Sequence, residues 1–208
     1  MGQVPIVVDG MTGSGKTTFV NKLADKLELE VMPEEFRDPY NLLYNFSYDV
    51  KWCYPMQLNF LMTRYIQYTV ASDSENYILD RSIYSDPVYT KMYYELNYLS
   101  EEQYRNYLTF YNALLEDIIE PKCIILLNCS FEEIMNRIKD RGRQDELNLG
   151  IDEYWWPLYE AYQGHIASLL EDQHKLSSKI IRIDTEDFDF LKDHEKFEDV
   201  LHLAANSI

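Results

Sequence analysis

Several residue types that mark particular classes of protein are scarce in this sequence. Only three of its 208 residues are cysteines, and Cys53, Cys123 and Cys129 lack the spacing of metal ligands, so we expect buried thiols in a reducing, cytoplasmic compartment. Lys and Arg number 19 against 36 Asp and Glu, and the formal net charge of −17 argues against a nucleic acid or an anionic membrane as partner. No apolar run approaches the roughly 20 residues that span a bilayer. The composition therefore predicts a globular, soluble protein.

Glycine is also scarce, at 7 residues, yet three of the 7 lie between positions 10 and 15. This stretch follows an apolar run (4–8) that predicts a buried strand, and it continues into Lys16 and Thr17. Together they form the G-x-x-x-x-G-K-[ST] pattern of a phosphate-binding loop, in which glycines let backbone N–H groups turn toward phosphate oxygens. Lys16 would contact the β- and γ-phosphates, and the Thr17 hydroxyl would contact Mg²⁺. The predicted nucleotide-binding residues are Gly10, Thr12, Gly13, Ser14, Gly15, Lys16, Thr17 and Thr18.

Hydrophobic periodicity predicts alternating strands and helices along the whole chain. Further strands are expected at 29–32, 76–80, 123–128 and 179–183, and helices at 16–27, 39–48, 54–72, 82–95, 101–120, 130–139, 152–175 and 188–205. This alternation predicts a three-layer α/β fold, with a parallel sheet of about five strands and helices on both faces. Because no linker or repeat interrupts it, we expect one domain over 1–208.

Charged residues follow two of these strands, at the sheet edge where ligands bind in open α/β proteins. Asp80 and Arg81 end the strand 76–80, where a carboxylate can reach Mg²⁺ or a hydroxyl and a guanidinium can bind phosphate. Glu34 and Glu35 follow the strand 29–32. A carboxylate there would accept the proton of a hydroxyl that is being phosphorylated, and only one of two adjacent residues can face the site. Solvated surface glutamates are the alternative interpretation.

Three arginines form a local cluster of positive charge in this acidic chain. Arg137 and Arg141 lie four residues apart on one helix face, and Arg143 follows. They suit an anion site that clamps ATP phosphates, on a mobile lid over about 141–150 that ends in Gly150. The alternative is that these arginines only pair with the neighbouring acidic residues Asp145 and Glu146.

These motifs together resemble the deoxynucleoside kinases, and most closely their bacterial-type deoxyadenosine/deoxyguanosine kinase branch. The resemblance covers nearly the whole chain. It is carried by the phosphate loop, by Pro55, Met56 and Gln57 with Arg64 seven residues later, and by the segments 80–86 and 137–146. It implies a kinase fold in which the γ-phosphoryl group of ATP passes to the 5′-hydroxyl of a deoxynucleoside with the help of Mg²⁺.

The resemblance also implies roles for individual residues. A glutamate after the second strand, usually followed by proline, is the general base; that Glu-Pro pair is absent here, and counting from the strand favours Glu34 while Glu35 stays open. Asp80 lies near Mg²⁺ and the 5′-hydroxyl, with Arg81 beside the general base and the reacting oxygen. Gln57 pairs with the nucleobase, and Arg64 and Asp86 line its far side, in the pattern of enzymes that accept purines and deoxycytidine. Glu146 holds the sugar 3′-hydroxyl.

Two positions depart from the family pattern. The tyrosine expected at the 3′-hydroxyl falls on Phe46, so that a gap in the alignment would place Tyr44 or Tyr48 there, and Tyr44 is our candidate. The aromatic residue that stacks on the base falls near Tyr89, which is followed by Thr90.

Two other functions compete with this interpretation. A thymidylate-like nucleoside monophosphate kinase shares the loop and lid, but it would need more arginine near the base. A regulatory or assembly subunit would retain the nucleotide site without turnover, but an intact Lys16, Asp80 and arginine set argues against it. The long helices at 82–95 and 101–120, together with the resemblance, indicate a homodimer.

Overall fold

The computed structural model describes residues 2–186, 188, 190 and 193–208, with the side chain of Asp145 outside the described part. Five strands form one parallel sheet in the order β2-β3-β1-β4-β5. They are β1 (Ile6–Asp9), β2 (Glu30–Met32), β3 (Tyr77–Asp80), β4 (Cys123–Asn128) and β5 (Lys179–Asp184). The central strands are continuous apolar runs because a parallel sheet is covered on both faces.

Helices cover both faces of this sheet. They are α1 (Lys16–Leu27), α2 (Leu42–Phe46), α3 (Cys53–Ser74), α4 (Asp86–Glu95), α5 (Glu101–Asp117), α6 (Phe131–Arg141), α7 (Gln144–Leu147), α8 (Trp156–Glu171) and α9 (His194–Ala205). Ile6 and Val8 of β1 pack into a core with α1 and α9, whereas Val7 faces a second core with α3 and α5. The predicted three-layer α/β fold is thus confirmed.

Most differences from the predicted elements are at helix ends. The helix predicted over 82–95 begins as a 3₁₀ turn, Ile83–Ser85, because the Ser82 hydroxyl accepts the backbone N–H of Tyr84; α4 starts only afterwards, with a proline in its first turn. The helix predicted over 152–175 is preceded by a π-helical turn, Ile151–Trp155, and α8 ends at Glu171.

Two further segments differ from expectation. The loop predicted as a lid contains the short helix α7. The last predicted helix, 188–205, begins at His194 in the described part, and residues 187, 189, 191 and 192 of that region lie outside it. No helix in the described ranges is long and apolar enough to span a membrane.

The order of the strands determines where a site can form. β1 lies at the centre of the sheet, pairing with β3 on one side and β4 on the other. Val8 is in register with both Asp80 of β3 and Ile125 of β4. Because all strands are parallel, the residues that follow β1, β2 and β3 emerge at one edge, which places the phosphate loop beside Glu34 and Asp80.

Candidate active site

A cavity of 780 Å³ opens at the carboxyl ends of β1, β2 and β3. It brings together most of the predicted site residues from distant parts of the chain. Those that line it are Thr12, Gly13, Gly15, Lys16, Thr17, Thr18, Glu34, Gln57, Arg64, Asp80, Arg81, Asp86, Tyr89, Arg137, Arg141, Arg143 and Glu146. Gly10, Ser14 and Tyr44 are absent from its lining.

Gly10 and Ser14 instead support the shape of the phosphate loop. The Gly10 N–H donates to Asp9 Oδ1 at 2.7 Å, and its φ of 152° together with a Leu127 carbonyl oxygen 2.6 Å from where a Cβ would lie restricts the position to glycine. Ser14 is buried, and its carbonyl oxygen accepts from the Arg137 guanidinium at 3.4 Å. The two residues therefore stabilise the shape of the loop backbone without lining the cavity.

Lys16 is buried at the start of α1, directly after the loop. Its Nζ donates to the carbonyl oxygen of Met11 at 3.2 Å. Burial, reinforced by the nearby charge of Arg81, lowers the pKa of Lys16 to about 8. The N-terminus of α1 points at the same space, so that the lysine and the helix both favour an anion there.

Thr17 and Asp80 meet across the first and third strands. The Thr17 hydroxyl donates to Asp80 Oδ2 at 2.7 Å, and Asp80 Oδ1 is buried with no hydrogen-bond partner among the described residues. An unpaired buried carboxylate oxygen beside a hydroxyl fits Mg²⁺, which usually takes only one or two protein ligands and completes its shell with phosphates and water. The residues present therefore fit the metal ion.

Glu34 and Glu35 point in different directions. Glu34 Oε1 lies 2.5 Å from Arg81 Nε and 3.1 Å from an Arg64 amino nitrogen, inside the cavity. Glu35 is directed outward, 3.8 Å from Arg37 Nε at the surface. Burial alone would raise the pKa of Glu34, but the charges of Arg81, Arg64 and Lys16 outweigh it and hold the pKa well below its usual range. Of the two glutamates, only Glu34 is an ionised carboxylate that faces the site.

Both the backbone and the side chain of Arg81 are fixed by contacts with neighbouring residues. Its φ of 93° is unusual for a residue with a side chain, and its N–H donates to the Val8 carbonyl at 2.9 Å. The guanidinium donates to the buried Tyr162 hydroxyl and lies 5.5 Å from the ring of Tyr89. Tyr89, predicted to stack on a base, thus contacts the arginine. Tyr162 was not predicted, because its helical pattern is that of an ordinary core residue.

Arg64 and Asp86, which the resemblance places at the far side of the base, form an ion pair in the cavity wall. Arg64 Nε donates to Asp86 Oδ1, and both side chains are almost fully buried. Burial raises the pKa of Asp86 to about 6, although Arg64 opposes the rise. Phe36 and Phe60, which the sequence did not single out, stack 3.8 Å apart in the same wall. This part of the cavity combines flat apolar surface with a few polar groups, as sites for aromatic ligands do.

The lid residues already pair with acidic partners in this structure. Glu146 lies 2.5 Å from Arg141 and 3.5 Å from Arg143, while Arg137 bonds Glu133 at 2.8 Å. The alternative of pairing within the cluster is therefore realised for Glu146; the Asp145 side chain is outside the described part. All three arginines and Glu146 nevertheless line the cavity.

The expectation for Tyr44 is not supported. Its side chain is 63% exposed and packs against Tyr48, with ring centroids 4.9 Å apart. The reason is helical geometry, since residues four apart share a face. In α2 the inward face carries the buried Leu42 and Phe46, which packs against Tyr93, whereas Tyr44 lies on the exposed side. Tyr154 lines the cavity and is a phenol that the sequence did not single out.

The fold and this site define a phosphate-loop kinase, a phosphotransferase in which the cavity beside the nucleotide loop also contains a buried arginine–aspartate pair. Comparison with known proteins narrows the class. The family model for deoxynucleoside kinases matches residues 6–208, and the chain belongs to that family. The predicted family, fold and enzyme class are confirmed: the protein is a kinase of deoxynucleosides.

Individual relatives agree with this assignment. A deoxyadenosine/deoxycytidine kinase of Bacillus subtilis is 29% identical over 98% of this chain and 92% of its own length. A deoxyguanosine kinase of the same organism is 28% identical over 93% of this chain and 92% of its own length. Among solved structures, deoxyadenosine kinase from M. mycoides with bound dCTP superposes with a TM-score of 0.79 at 28% identity, covering 95% of this chain and 98% of that one.

Proposed function

We propose that the protein transfers the γ-phosphoryl group of ATP to the 5′-hydroxyl of a purine deoxynucleoside or deoxycytidine. The observation that carries this proposal is the buried Arg64–Asp86 pair, which lines the same cavity as Gln57 and the phosphate loop. A charged pair of this kind is costly in an apolar wall unless a polar ligand uses it. The names of the relatives from Bacillus subtilis and M. mycoides support the same choice of acceptors.

The proposed reaction assigns one task to each group around the cavity. Glu34 takes the proton of the attacking 5′-hydroxyl, and Arg81 holds the carboxylate in position. Lys16 contacts the β- and γ-phosphates, and the arginines of α6 and the lid stabilise charge on the transferred group. Thr17 and Asp80 would hold Mg²⁺, which supplies positive charge next to the phosphate oxygens when it is bound.

At the acceptor side, Gln57, Arg64 and Asp86 bind the base. Glu146 is the proposed partner of the sugar 3′-hydroxyl, for which it must exchange its contacts with Arg141 and Arg143. That exchange would release both arginines toward the phosphates, so that acceptor binding and lid closure would proceed together.

The acceptor is tested by a direct comparison. Purified protein with ATP and Mg²⁺ is incubated with deoxyadenosine, deoxyguanosine, deoxycytidine, thymidine or dTMP, and the products are separated chromatographically. We expect 5′-monophosphates from at least one of the first three, and little product from thymidine. Conversion of dTMP alone would instead indicate a monophosphate kinase, and no transfer to any acceptor would favour a subunit without turnover.

The pKa of Lys16 leads to a second expectation, for ATP binding. In the free protein the lysine loses its proton near pH 8, whereas a bound triphosphate favours its charged form and raises the pKa. Above pH 8, binding must therefore take up a proton, and the Kd for ATP should rise with pH by up to about tenfold per unit. Calorimetry between pH 8 and 9.5, in two buffers with different ionisation enthalpies, measures both the affinity and the proton uptake.

The matched variant for this experiment is Lys16→Arg, because a guanidinium stays charged over the whole range. Its affinity for ATP is expected to be lower but independent of pH. A wild-type Kd that does not change between pH 8 and 9.5 would contradict the assignment of this titration to Lys16.

A further inference from the structure

Thr90 makes a fully buried contact with Gln57, one of three residues, Gln57, Arg64 and Asp86, that form the proposed base end of the cavity. It lies on α4, and its side chain is inaccessible to solvent. Its hydroxyl Oγ1 lies 3.0 Å from Gln57 Oε1 and 3.5 Å from the carbonyl oxygen of Asp86. Gln57 is also buried, but it lines the cavity, whereas Thr90 does not. The threonine therefore contacts the Gln57 amide from within the protein and not from the cavity.

These distances favour one orientation of the Gln57 amide. A threonine hydroxyl has a single proton to donate, and the nearer acceptor is Gln57 Oε1. In the opposite orientation the Gln57 amide nitrogen would donate to Thr90 Oγ1. The threonine proton would then have only weaker acceptors: the Asp86 carbonyl at 3.5 Å, the limit of a hydrogen bond, and the nearby Tyr107 hydroxyl, which lies outside hydrogen-bond geometry. In the favoured orientation the amide oxygen is engaged by Thr90. Among the described residues, Gln57 Nε2 has no hydrogen-bond partner, so that its two N–H groups are available to a ligand.

A second polar atom nearby lacks a partner and has the complementary character. Asp86 Oδ1 accepts from Arg64, but Asp86 Oδ2 is buried without a hydrogen-bond partner in the described part of the chain. Leaving such an atom unpaired is costly, which indicates that a ligand supplies a donor. The base end thus offers a donor at Gln57 and an acceptor at Asp86. The matching edge has a ring nitrogen that accepts and an exocyclic amino group that donates, as in adenine and cytosine.

We propose that Thr90 is a positioning residue that holds the Gln57 amide in one orientation and thereby selects amino-bearing base edges. The proposal rests on the proposed function, in which Gln57 binds the base. Thr90 is suited to the task because its side chain is fully buried, which holds the hydroxyl in place. Without the hydroxyl, nothing at position 90 would distinguish the two ends of the amide, and the flipped form would present an acceptor to the base.

Deoxyadenosine and deoxyinosine provide the sharpest test, because they differ only at the edge in question. Adenine has an amino donor beside an accepting ring nitrogen, whereas hypoxanthine has a carbonyl acceptor beside a ring N–H. The measurement is the ratio of kcat/KM for deoxyadenosine to that for deoxyinosine. In Thr90→Val, which replaces the hydroxyl by a methyl group of similar size, we expect this ratio to fall about tenfold. Some discrimination should remain, because Asp86 still repels a carbonyl.

Two control variants separate positioning from packing. Thr90→Ser keeps the hydroxyl, and its ratio should stay within twofold of that of the wild type. Thr69→Val removes a part-buried helical hydroxyl on α3, where Thr69 Oγ1 donates to the Tyr65 carbonyl at 2.9 Å, and it should leave the ratio unchanged. If Thr90→Val does not fold, as judged by thermal unfolding, Thr90→Ala takes its place.

The possible outcomes are distinct. A ratio within twofold of the wild-type value in the variant without the hydroxyl would overturn the proposal, as would an equal fall in Thr90→Ser. Failure of the wild-type protein to phosphorylate either deoxynucleoside would count against the proposed function itself. Phosphorylation with an unchanged ratio would count against the role of Thr90 alone.

Discussion

Glu34→Gln is expected to lower kcat by a factor of about 10² to 10⁴, the usual contribution of a general base. Glutamine has nearly the same size, and its amide oxygen can still accept from Arg81 and Arg64. It cannot accept the proton of the 5′-hydroxyl. Because Glu34 pairs with Arg81 and Arg64 and not with the phosphate loop, the Kd for ATP should change little at pH 7. Measurements are made at that pH because the charge of Glu34 raises the pKa of Lys16, so that its removal should weaken ATP binding at higher pH. Steady-state kinetics with the best acceptor and calorimetry with ATP measure the two quantities.

Glu35→Gln is the matched control, since it makes the same chemical change one residue further along the chain. Glu35 is directed outward toward Arg37, so its kcat should stay within twofold of the wild-type value. Thermal unfolding of both variants shows whether either change disturbs the fold. Near-normal turnover in Glu34→Gln together with a large loss in Glu35→Gln would assign the base to Glu35.

The sequence predicted the core of the fold well, for a physical reason. A strand buried on both faces must be apolar throughout, and β4 was predicted with the bounds it has in the structure. The N-terminal bound of α5 follows from the capping box of Ser100 and Gln103, whose side chains and backbones bond reciprocally. Its predicted end at 120 was too late, because α5 stops at Asp117, before the proline. Helix ends without such local signals depend on tertiary packing.

The sequence predicted those parts of the candidate site whose residues directly follow strands. In a parallel sheet the residues after neighbouring strands lie at the same edge. Sequence reasoning missed residues that act through another side chain, such as Tyr162 beneath Arg81 and Thr90 behind Gln57. Neither has a local pattern that distinguishes it from core. Tyr44 lies at the surface and not in the cavity lining, because the short helix α2 directs its side chain outward. The single domain, the homodimer, the cytoplasmic location and the individual residue roles stay predictions.

Arg64→Met is expected to destabilise the protein by about 3–5 kcal/mol at pH 8, the cost of breaking a buried ion pair by removing one partner. The change leaves the Asp86 carboxylate buried without compensation, in a wall where burial already raises its pKa to about 6. Urea unfolding measures the loss. Arg182→Met is the matched control, because Arg182 pairs with Asp184 at the exposed surface and its loss should cost under about 1 kcal/mol.

The charge on Asp86 itself can be separated from the lost packing of Arg64 in two ways. A carboxyl group whose pKa is raised on folding destabilises the protein as pH rises through that pKa, so the cost of Arg64→Met should be smaller at pH 5 than at pH 8. In Arg64→Met/Asp86→Asn the buried group is neutral at both values, and more than half of the lost stability should return at pH 8. If Arg64→Met costs no more than Arg182→Met, the loss of Arg64 does not leave Asp86 as an uncompensated buried charge, contrary to what the structure indicates. If the double variant is less stable than Arg64→Met, the loss of stability arises from packing and not from the buried charge of Asp86. The charged pair would then give no reason to expect a polar ligand beside it.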